Sequence, residues 1–386
     1  MTTERILYPP STLGVVGGGQ LGRMFVQAAH RLGYTTVVLS PSRNDPAAAI
    51  SEHVIEGAVD DLTALRELAK RADAVTVEFE NVSAAGLRWL ERSKPVRPGW
   101  RSIWVAQNRI REKSFLAANG FPLPAWASLR MASDLEGMSK FKGQSLILKT
   151  AASGYDGKGQ VRVSGPEAIA SAWDSLGRVP CVVEEVVNFA GEISCIVARG
   201  VNGQVEPFPV FWNQHRHHIL DLTQAPAPIG PAATTEAQRV ATAVASCLGT
   251  VGLLTVEMFL TRQGELLINE LAPRPHNSGH LTIEATPTSQ YEQQVRALCG
   301  LPLGSGQLRQ PAAMANLLGD LWANGEPDWA GCLAGDSEVA LHLYGKSNPK
   351  VGRKMGHLTV TESNPESARA RVLAARQRLC REIPGD

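Results

Sequence analysis

From residue 12 onward the chain alternates short β-branched apolar runs with stretches of helical spacing: a strand at 12–16, a helix at 21–32, a strand at 35–39, a helix at 62–70 and a strand at 74–79. That alternation predicts a parallel sheet with helices on its faces. Lys94-Pro95-Val96-Arg97-Pro98-Gly99 punctuates the unit, so a first domain is expected over residues 1–105. The pattern then changes. After a polar helix at 107–119, stopped by Gly120, Pro122 and Pro124, strands are expected at 145–149, 161–163, 181–186 and 193–198. A Pro-rich loop at 225–231 leads to a helix at 240–248 and to strands at 254–260 and 266–269. Strands in runs with few helices between them predict an α+β second domain over residues 106–300. The break Gly300-Leu301-Pro302-Leu303-Gly304 opens a third, 301–386, with strands at 338–344 and 357–361 and a closing helix at 366–383 whose charges read as a solvated face.

Length agrees with this division, because 386 residues exceed what one ordinary core accommodates. With 44% hydrophobic and 19% charged residues, and Gly and Pro in no repeat period, a fibre or a disordered tail is excluded. Thirty-eight Lys and Arg against 37 Asp and Glu leave +1, so no summed field draws the chain onto nucleic acid or an acidic membrane, and neither is expected as a partner. An anionic ligand must be held by a local site. Six scattered cysteines without a Cys-x-x-Cys argue against a disulfide framework and a thiolate metal site, and imply a reducing, cytoplasmic setting. Residues 1–10 lack the basic start and apolar run of a signal peptide. The uncharged stretch 240–256 is shorter than the ~20 residues of a membrane span. It reads as a buried helix turning into a buried strand.

Five strings carry candidate chemistry. Gly17-Gly18-Gly19-Gln20-Leu21-Gly22 follows a strand and opens a helix, with Gly17, Gly19 and Gly22 at G-x-G-x-x-G spacing. Such glycines let the backbone close on a phosphate at the helix N-terminus. A dinucleotide, another phosphate-bearing ligand and a purely structural turn all remain open. The second strand runs into Ser40-Pro41 rather than ending in the acid that would grip a ribose, which weighs against the dinucleotide. Next, Lys149 ends a strand and is followed by Ser153-Gly154-Tyr155-Asp156-Gly157-Lys158-Gly159-Gln160. A glycine-rich hairpin with its own lysine suits the cover of a triphosphate. It lacks the Walker spacing, and an ordinary exposed hairpin is the alternative.

Glu257 and Glu270 sit in two adjacent apolar strands joined by a turn at Arg262-Gln263-Gly264. Paired carboxylates repel unless a cation lies between them, and Mg²⁺ takes hard oxygen ligands of this kind. Exposed edge-strand carboxylates are the competing reading. Arg274, His276, Asn277 and Ser278 follow between prolines and offer donors for phosphate or another anion. His276 and His280 are four apart, but Gly279 and the prolines oppose the helix that zinc ligation would need. The His-rich cluster 213–218 reads as a hydrogen-bonding or solvated loop. Finally, Lys346, Lys350, Arg353 and Lys354 crowd the turn 345–357, either as a solvated loop or as a phosphate pocket.

Together, in this order, the strings resemble the ATP-grasp superfamily and, within it, the 5-(carboxyamino)imidazole ribonucleotide synthases of bacterial purine biosynthesis. The resemblance rests on residues 17–24, 154–160, 269–280 and 352–357 and spans about residues 12–361. It implies an ATP-grasp fold with an N-terminal Rossmann-like domain, a central two-part ATP-grasp domain and a small C-terminal β-rich domain. It further implies ATP held by Arg109, Lys149, Gly154, Tyr155, Asp156, Gly157, Lys158, Gly159, Gln160, Glu184, Glu185, Val186, Val187, Glu192 and His215. Mg²⁺ would sit on Glu257 and Glu270 beside Asn269. Aminoimidazole ribonucleotide and bicarbonate would be surrounded by Gln20, Leu21, Glu78, Tyr155, Asp156, Arg274, His276, Asn277, Arg353 and Lys354.

The implied reaction moves the γ-phosphoryl of ATP to bicarbonate while Lys149 and Arg274 neutralise the oxygens. The exocyclic amine of the ribonucleotide then attacks, with Asp156 orienting it or taking its proton. A homodimer is implied as well. The chain departs from the family's pattern at Ala151-Ala152-Ser153, where basic residues and a glycine are common, and at His217-His218, where Asp-Gly is usual. The competing functions are a non-catalytic ATP-binding module of the same fold and an NAD-dependent dehydrogenase.

Overall fold

The computed structural model describes residues 6–152, 154 and 158–380. The first sheet is parallel and runs in the order β3-β2-β1-β4, with β1 at Thr12–Val16, β2 at Thr35–Ser40, β3 at His53–Glu56 and β4 at Ala74–Val77. All four residues of β4 are buried, as expected for a strand covered on both faces. Helices α1 (Gln20–Arg31) and α2 (Leu62–Arg71) cover it, and α3 (Ala84–Leu90), α4 (Trp100–Ala106) and α5 (Arg109–Ala118) lead out.

A second, antiparallel sheet runs β5-β8-β6-β7, from β5 (Trp126–Leu129), β6 (Leu146–Thr150), β7 (Gln160–Val163) and β8 (Cys181–Glu185), with α6 (Ile169–Ser175) behind it. The largest sheet has nine strands. Its main path is β14-β13-β9-β11-β12-β15-β17-β16, and β10 pairs with β9. These strands are β9 (Phe189–Arg199), β10 (Val205–Pro207), β11 (Phe211–Arg216), β12 (Ile219–Ala225), β13 (Gly252–Thr261), β14 (Leu266–Ala272), β15 (Ala312–Leu318), β16 (Ala340–Leu343) and β17 (Lys354–Thr361). The C-terminal strands therefore extend the central sheet, through β12 and β15, rather than forming one of their own.

Helix α7 (Pro231–Leu248) places Ala237, Val240, Ala241 and Val244 on one stripe against β9 and β13, and burying each valine contributes about 1.5–3 kcal/mol. It ends at Gly249, whose φ of 71° is the left-handed cap expected there. The stretch 240–256 is thus helix, turn and strand, and no helix among the described residues is long and apolar enough to cross a membrane. All six cysteines are free thiols.

Helices α8 (Thr282–Ala285) and α9 (Gln290–Cys299) follow β14, and α9 fastens the first sheet to the rest. Its Tyr291, Val295 and Leu298 pack with Phe25 and Val26 of α1. Gln294 Nε2 donates to Thr76 Oγ1 at 2.9 Å, and Arg97 donates to the carbonyls of Ala297 and Leu298 at 2.9 and 2.6 Å. Near the C-terminus α10 (Trp329–Gly335) and α11 (Pro365–Arg378) cover β15 and β17.

One expectation is overturned. The cluster 213–218 is the end of β11 and a two-residue turn into β12, not a loop. Its polar composition hid a strand because Gln214 and His215 are only part-buried while Phe211 and Asn213 carry the buried face.

Candidate active site

A cleft of about 1080 Å³ opens where the three sheets meet. Lys149, near the end of β6, projects between the sheets: its Nζ donates to Glu184 Oε2 at 3.1 Å and to Asn269 Oδ1 at 3.4 Å. Glu184 is buried. Desolvation alone would raise its pKa, but Lys149 and Lys113 beside it outweigh that and hold it below the usual carboxylate value.

Glu257 of β13 and Glu270 of β14 are directly opposed in the antiparallel register, with a bulge immediately after Glu257. Each already has a nitrogen partner. Arg109 Nη1 lies 3.0 Å from Glu270 Oε2, and His276 Nε2 lies 2.8 Å from Glu257 Oε1. Burial pushes the Glu257 carboxyl up, and the His276 ring more than reverses this, so it stays well below the ordinary range. Arg109 opens α5 behind Asn108, whose side chain accepts from the amides of Ile110 and Arg111 at 3.1 Å.

The turn after β14 supplies a different wall. Arg274 Nε donates to Glu80 Oε2 at 2.5 Å, and Asn277 lines the cleft with both Oδ1 and Nδ2 buried and unpartnered. An amide in that state costs about 1–3 kcal/mol per unmade bond. It is therefore the side chain here that a ligand would most relieve.

The cleft also takes in Gln20, Leu21, Gly154, Gln160, Glu185, Val186, Val187, Glu192, His215 and Lys354. Glu192 Oε2 and His215 Nδ1 meet at 2.7 Å, and Glu185 accepts from the Ala125 amide at 2.9 Å. Among the described residues of the implied ATP, metal and substrate sets, four do not line it. Arg353 donates to the carbonyls of Ser347 and Asn348 at 2.6 and 3.0 Å, Lys158 is exposed, and Gly159 turns with a φ of 71° beneath Thr150. Glu78 backs the wall instead. Its carboxylate accepts from the amides of Gly19 and, at 2.9 Å, of Gly22, so the glycine turn closes on a side chain of its own. A Cβ at Gly17 would come within 2.4 Å of Glu78 Cγ, which accounts for the glycine. Tyr155, Asp156 and Gly157 lie outside the described residues.

Three stretches match known domain families: the ribonucleotide synthetase preATP-grasp domain at 11–107, the ATP-grasp domain at 114–291 and the phosphoribosylaminoimidazole carboxylase C-terminal domain at 312–371. Over 359 residues the chain is 39% identical to the N5-carboxyaminoimidazole ribonucleotide synthase of Bacillus subtilis (strain 168), covering 92% of this chain and 93% of that one. It belongs to the N5-carboxyaminoimidazole ribonucleotide synthase family. A crystal structure of the Staphylococcus aureus synthetase of this family with ADP matches at a TM-score of 0.88 and 36% identity, covering 96% of this chain and 98% of that one. One of the Aspergillus clavatus synthase with ADP and 5-aminoimidazole ribonucleotide matches at 0.87 and 31%, covering 97% and 99%.

Several residues of this synthase fold were not legible beforehand. Glu80 reaches Arg274 across 194 positions, with no local signal to announce it. Phe189 and Phe259, stacked 4.9 Å apart at the cleft, read as ordinary strand residues. Glu112 and Lys113 did leave a trace: with Arg109 they sit at i, i+3 and i+4, one face of a helix behind an Asn cap. Burial pushes the Glu112 carboxyl up to about 8 while its Oε1 accepts from the Leu271 amide at 2.5 Å.

Proposed function

We propose that this chain couples ATP cleavage to the carboxylation of 5-aminoimidazole ribonucleotide, giving N5-carboxyaminoimidazole ribonucleotide, ADP and phosphate. The observation that carries this reading is the adjacency of two chemistries in one cleft. Lys149 and the Glu257–Glu270 pair face the same space as Arg274 and the unpartnered Asn277 amide.

Bicarbonate has no leaving group, so its carbon must be activated before an amine can attack. Transfer of the γ-phosphoryl to a bicarbonate oxygen releases ADP and leaves carboxyphosphate. Lys149, held on Glu184 and Asn269, offers its ammonium to the phosphate oxygens. Arg274 offers fixed donors to the anion, because Glu80 sets the plane of its guanidinium. Asn277 can donate to one bicarbonate oxygen and accept from its hydroxyl. The exocyclic amine then bonds to the carbon, attacked directly or after release as carbon dioxide, and phosphate departs with the electrons of its C–O bond. The reading assigns Asp156 to orient the amine or take its proton, and residues 154–160 to exclude water.

Glu257 and Glu270 would hold Mg²⁺. Two carboxylates suit an ion that completes its shell with water and phosphate oxygens, and among the described residues no larger His, Cys, Asp and Glu group could hold a metal. The ion would supply positive charge to the nucleotide phosphates. Glu184–Val187 and Glu192 with His215 are assigned to adenine and ribose, and Gln20, Leu21 and Lys354 to the ribonucleotide. A homodimer in a cytoplasmic setting belongs to the same reading, and sedimentation equilibrium tests the dimer.

The dehydrogenase alternative loses its phosphate site, because Glu78 takes the amides of Gly19 and Gly22. Phosphate release from ATP is the test. It should require both aminoimidazole ribonucleotide and bicarbonate, and release that ignores either substrate would remove the proposal.

A further inference from the structure

Helix α5 passes behind the cleft wall and crosses from one sheet to the next. Arg109 and Glu112 both reach β14, one through the Glu270 side chain and the other through the Leu271 amide. Lys113 does something different, because it touches both sheets at once. Its Nζ lies 3.4 Å from Glu184 Oε1 on β8 and donates to the Asn269 carbonyl on β14, also at 3.4 Å.

The Lys113 side chain is 0% exposed and does not line the cleft, so it cannot meet a nucleotide. Yet the two residues it grips from behind are the two that hold Lys149 from the front. Glu184 offers its second oxygen to Lys149 at 3.1 Å, and Asn269 offers its side-chain oxygen at 3.4 Å. We propose that Lys113 is a positioning residue for Lys149: it clamps Glu184 and Asn269 across the two sheets and thereby fixes where the Lys149 ammonium meets the nucleotide phosphates. The inference rests on the ATP site proposed above.

The physical reason lies in the shared carboxylate. Two ammonium groups divide Glu184 between them, one oxygen each, so neither can close onto both oxygens. A buried ion group of this kind is strongly destabilised when one member is removed, since the remaining charges are left over-paired or unpaired. Without the rear cation, Lys149 would be drawn fully onto Glu184 and away from Asn269 and the phosphates. The β8–β14 spacing would also lose its charged crossbar.

Lys113→Met keeps most of the length of the side chain and removes its charge. The expected result is a fall of at least tenfold in kcat/KM for ATP and a matching rise in the ATP dissociation constant measured by calorimetry, with the KM for aminoimidazole ribonucleotide changed less than twofold. A general loosening would raise both KM values together. Because the lysine acts through Glu184, the same change made in a Glu184→Gln background should cost less than threefold more than Glu184→Gln alone. That double variant also keeps the interior charge balanced, so it remains informative if the single variant folds poorly. Equal costs in both backgrounds, or wild-type ATP binding by Lys113→Met, would overturn the inference. Failure of the unaltered protein to bind ATP would instead remove the site on which it rests.

Discussion

Arg274 and Glu80 form a bidentate pair, with Nε 2.5 Å from Oε2 and Nη2 3.3 Å from Oε1, that joins the end of β14 to the loop after β4. The two strands belong to different sheets, so this contact ties the turn after β14 to the first sheet. Glu80→Gln keeps the shape and removes the charge that aims the guanidinium. A charge-assisted hydrogen bond contributes about 1.5–3 kcal/mol. If most of that is spent aiming Arg274, kcat/KM for bicarbonate should fall roughly 10- to 100-fold. Steady-state kinetics with varied bicarbonate check this, and an unchanged bicarbonate dependence would detach Arg274 from that substrate.

Glu270→Gln keeps a hydrogen-bond acceptor for Arg109 but removes one carboxylate from the cross-strand pair with Glu257. Losing charge neutralisation worth several kcal/mol should lower phosphate release by at least about 100-fold. Circular dichroism and thermal unfolding should remain close to wild type. A rate within a few-fold of wild type would separate these carboxylates from the chemistry.

Much of this cleft was legible because its residues lie in short strings whose local spacing already implies geometry. Glu257 and Glu270 flank a tight turn between apolar strands, which brings them near each other; the regular register would oppose Glu257 to Asn269, and the bulge after Glu257 sets Glu270 there instead. Lys149 was legible as the residue closing a strand before a glycine-rich hairpin. Glu80 and Phe189 were not, because their roles come from contacts between elements distant in sequence. The glycine turn at residue 17 stayed open to several readings for a related reason. Its spacing fits a phosphate, but Glu78, contributed from the end of β4, satisfies the same amides. The 213–218 cluster looked like a loop because a strand lining a polar cleft loses the apolar alternation that reveals strands elsewhere.

His217 and His218 form the two-residue connection between β11 and β12 with φ of 49° and 65°. A two-residue hairpin with both φ positive is the type I′ turn, which favours Asn-Gly. A side chain held in the left-handed region costs on the order of 1 kcal/mol. His217→Asn with His218→Gly should therefore stabilise the protein by about 1–2 kcal/mol in urea unfolding. Both positions line the cleft, so the KM for ATP is measured alongside. No gain in stability would contradict this account of the turn.

His280 and His357 are fully buried with rings stacked 4.8 Å apart, each Nδ1 bonded to a tyrosine hydroxyl and each Nε2 unpartnered. Burial holds both pKa values well below the ordinary 6.5, and His342 adds to the effect on each. Below pH 6.5 the unfolded chain binds these protons and the folded chain refuses them, so stability falls as pH drops. The expected loss is about 1.4 kcal/mol per ring at pH 5.5 relative to pH 7.5. His357→Phe removes one of the two groups and should lose correspondingly less over the same interval. Equal losses in urea titrations of both proteins would contradict the buried neutral assignment.

The most direct measurement uses bicarbonate labelled with ¹⁸O in a single turnover with ATP and aminoimidazole ribonucleotide, with the released phosphate read by mass spectrometry. If the γ-phosphoryl passes to a bicarbonate oxygen in this cleft, each phosphate released carries one labelled oxygen and the labelled carbonyl appears on the ribonucleotide amine. Phosphate without label, its fourth oxygen drawn from water, would contradict the coupling.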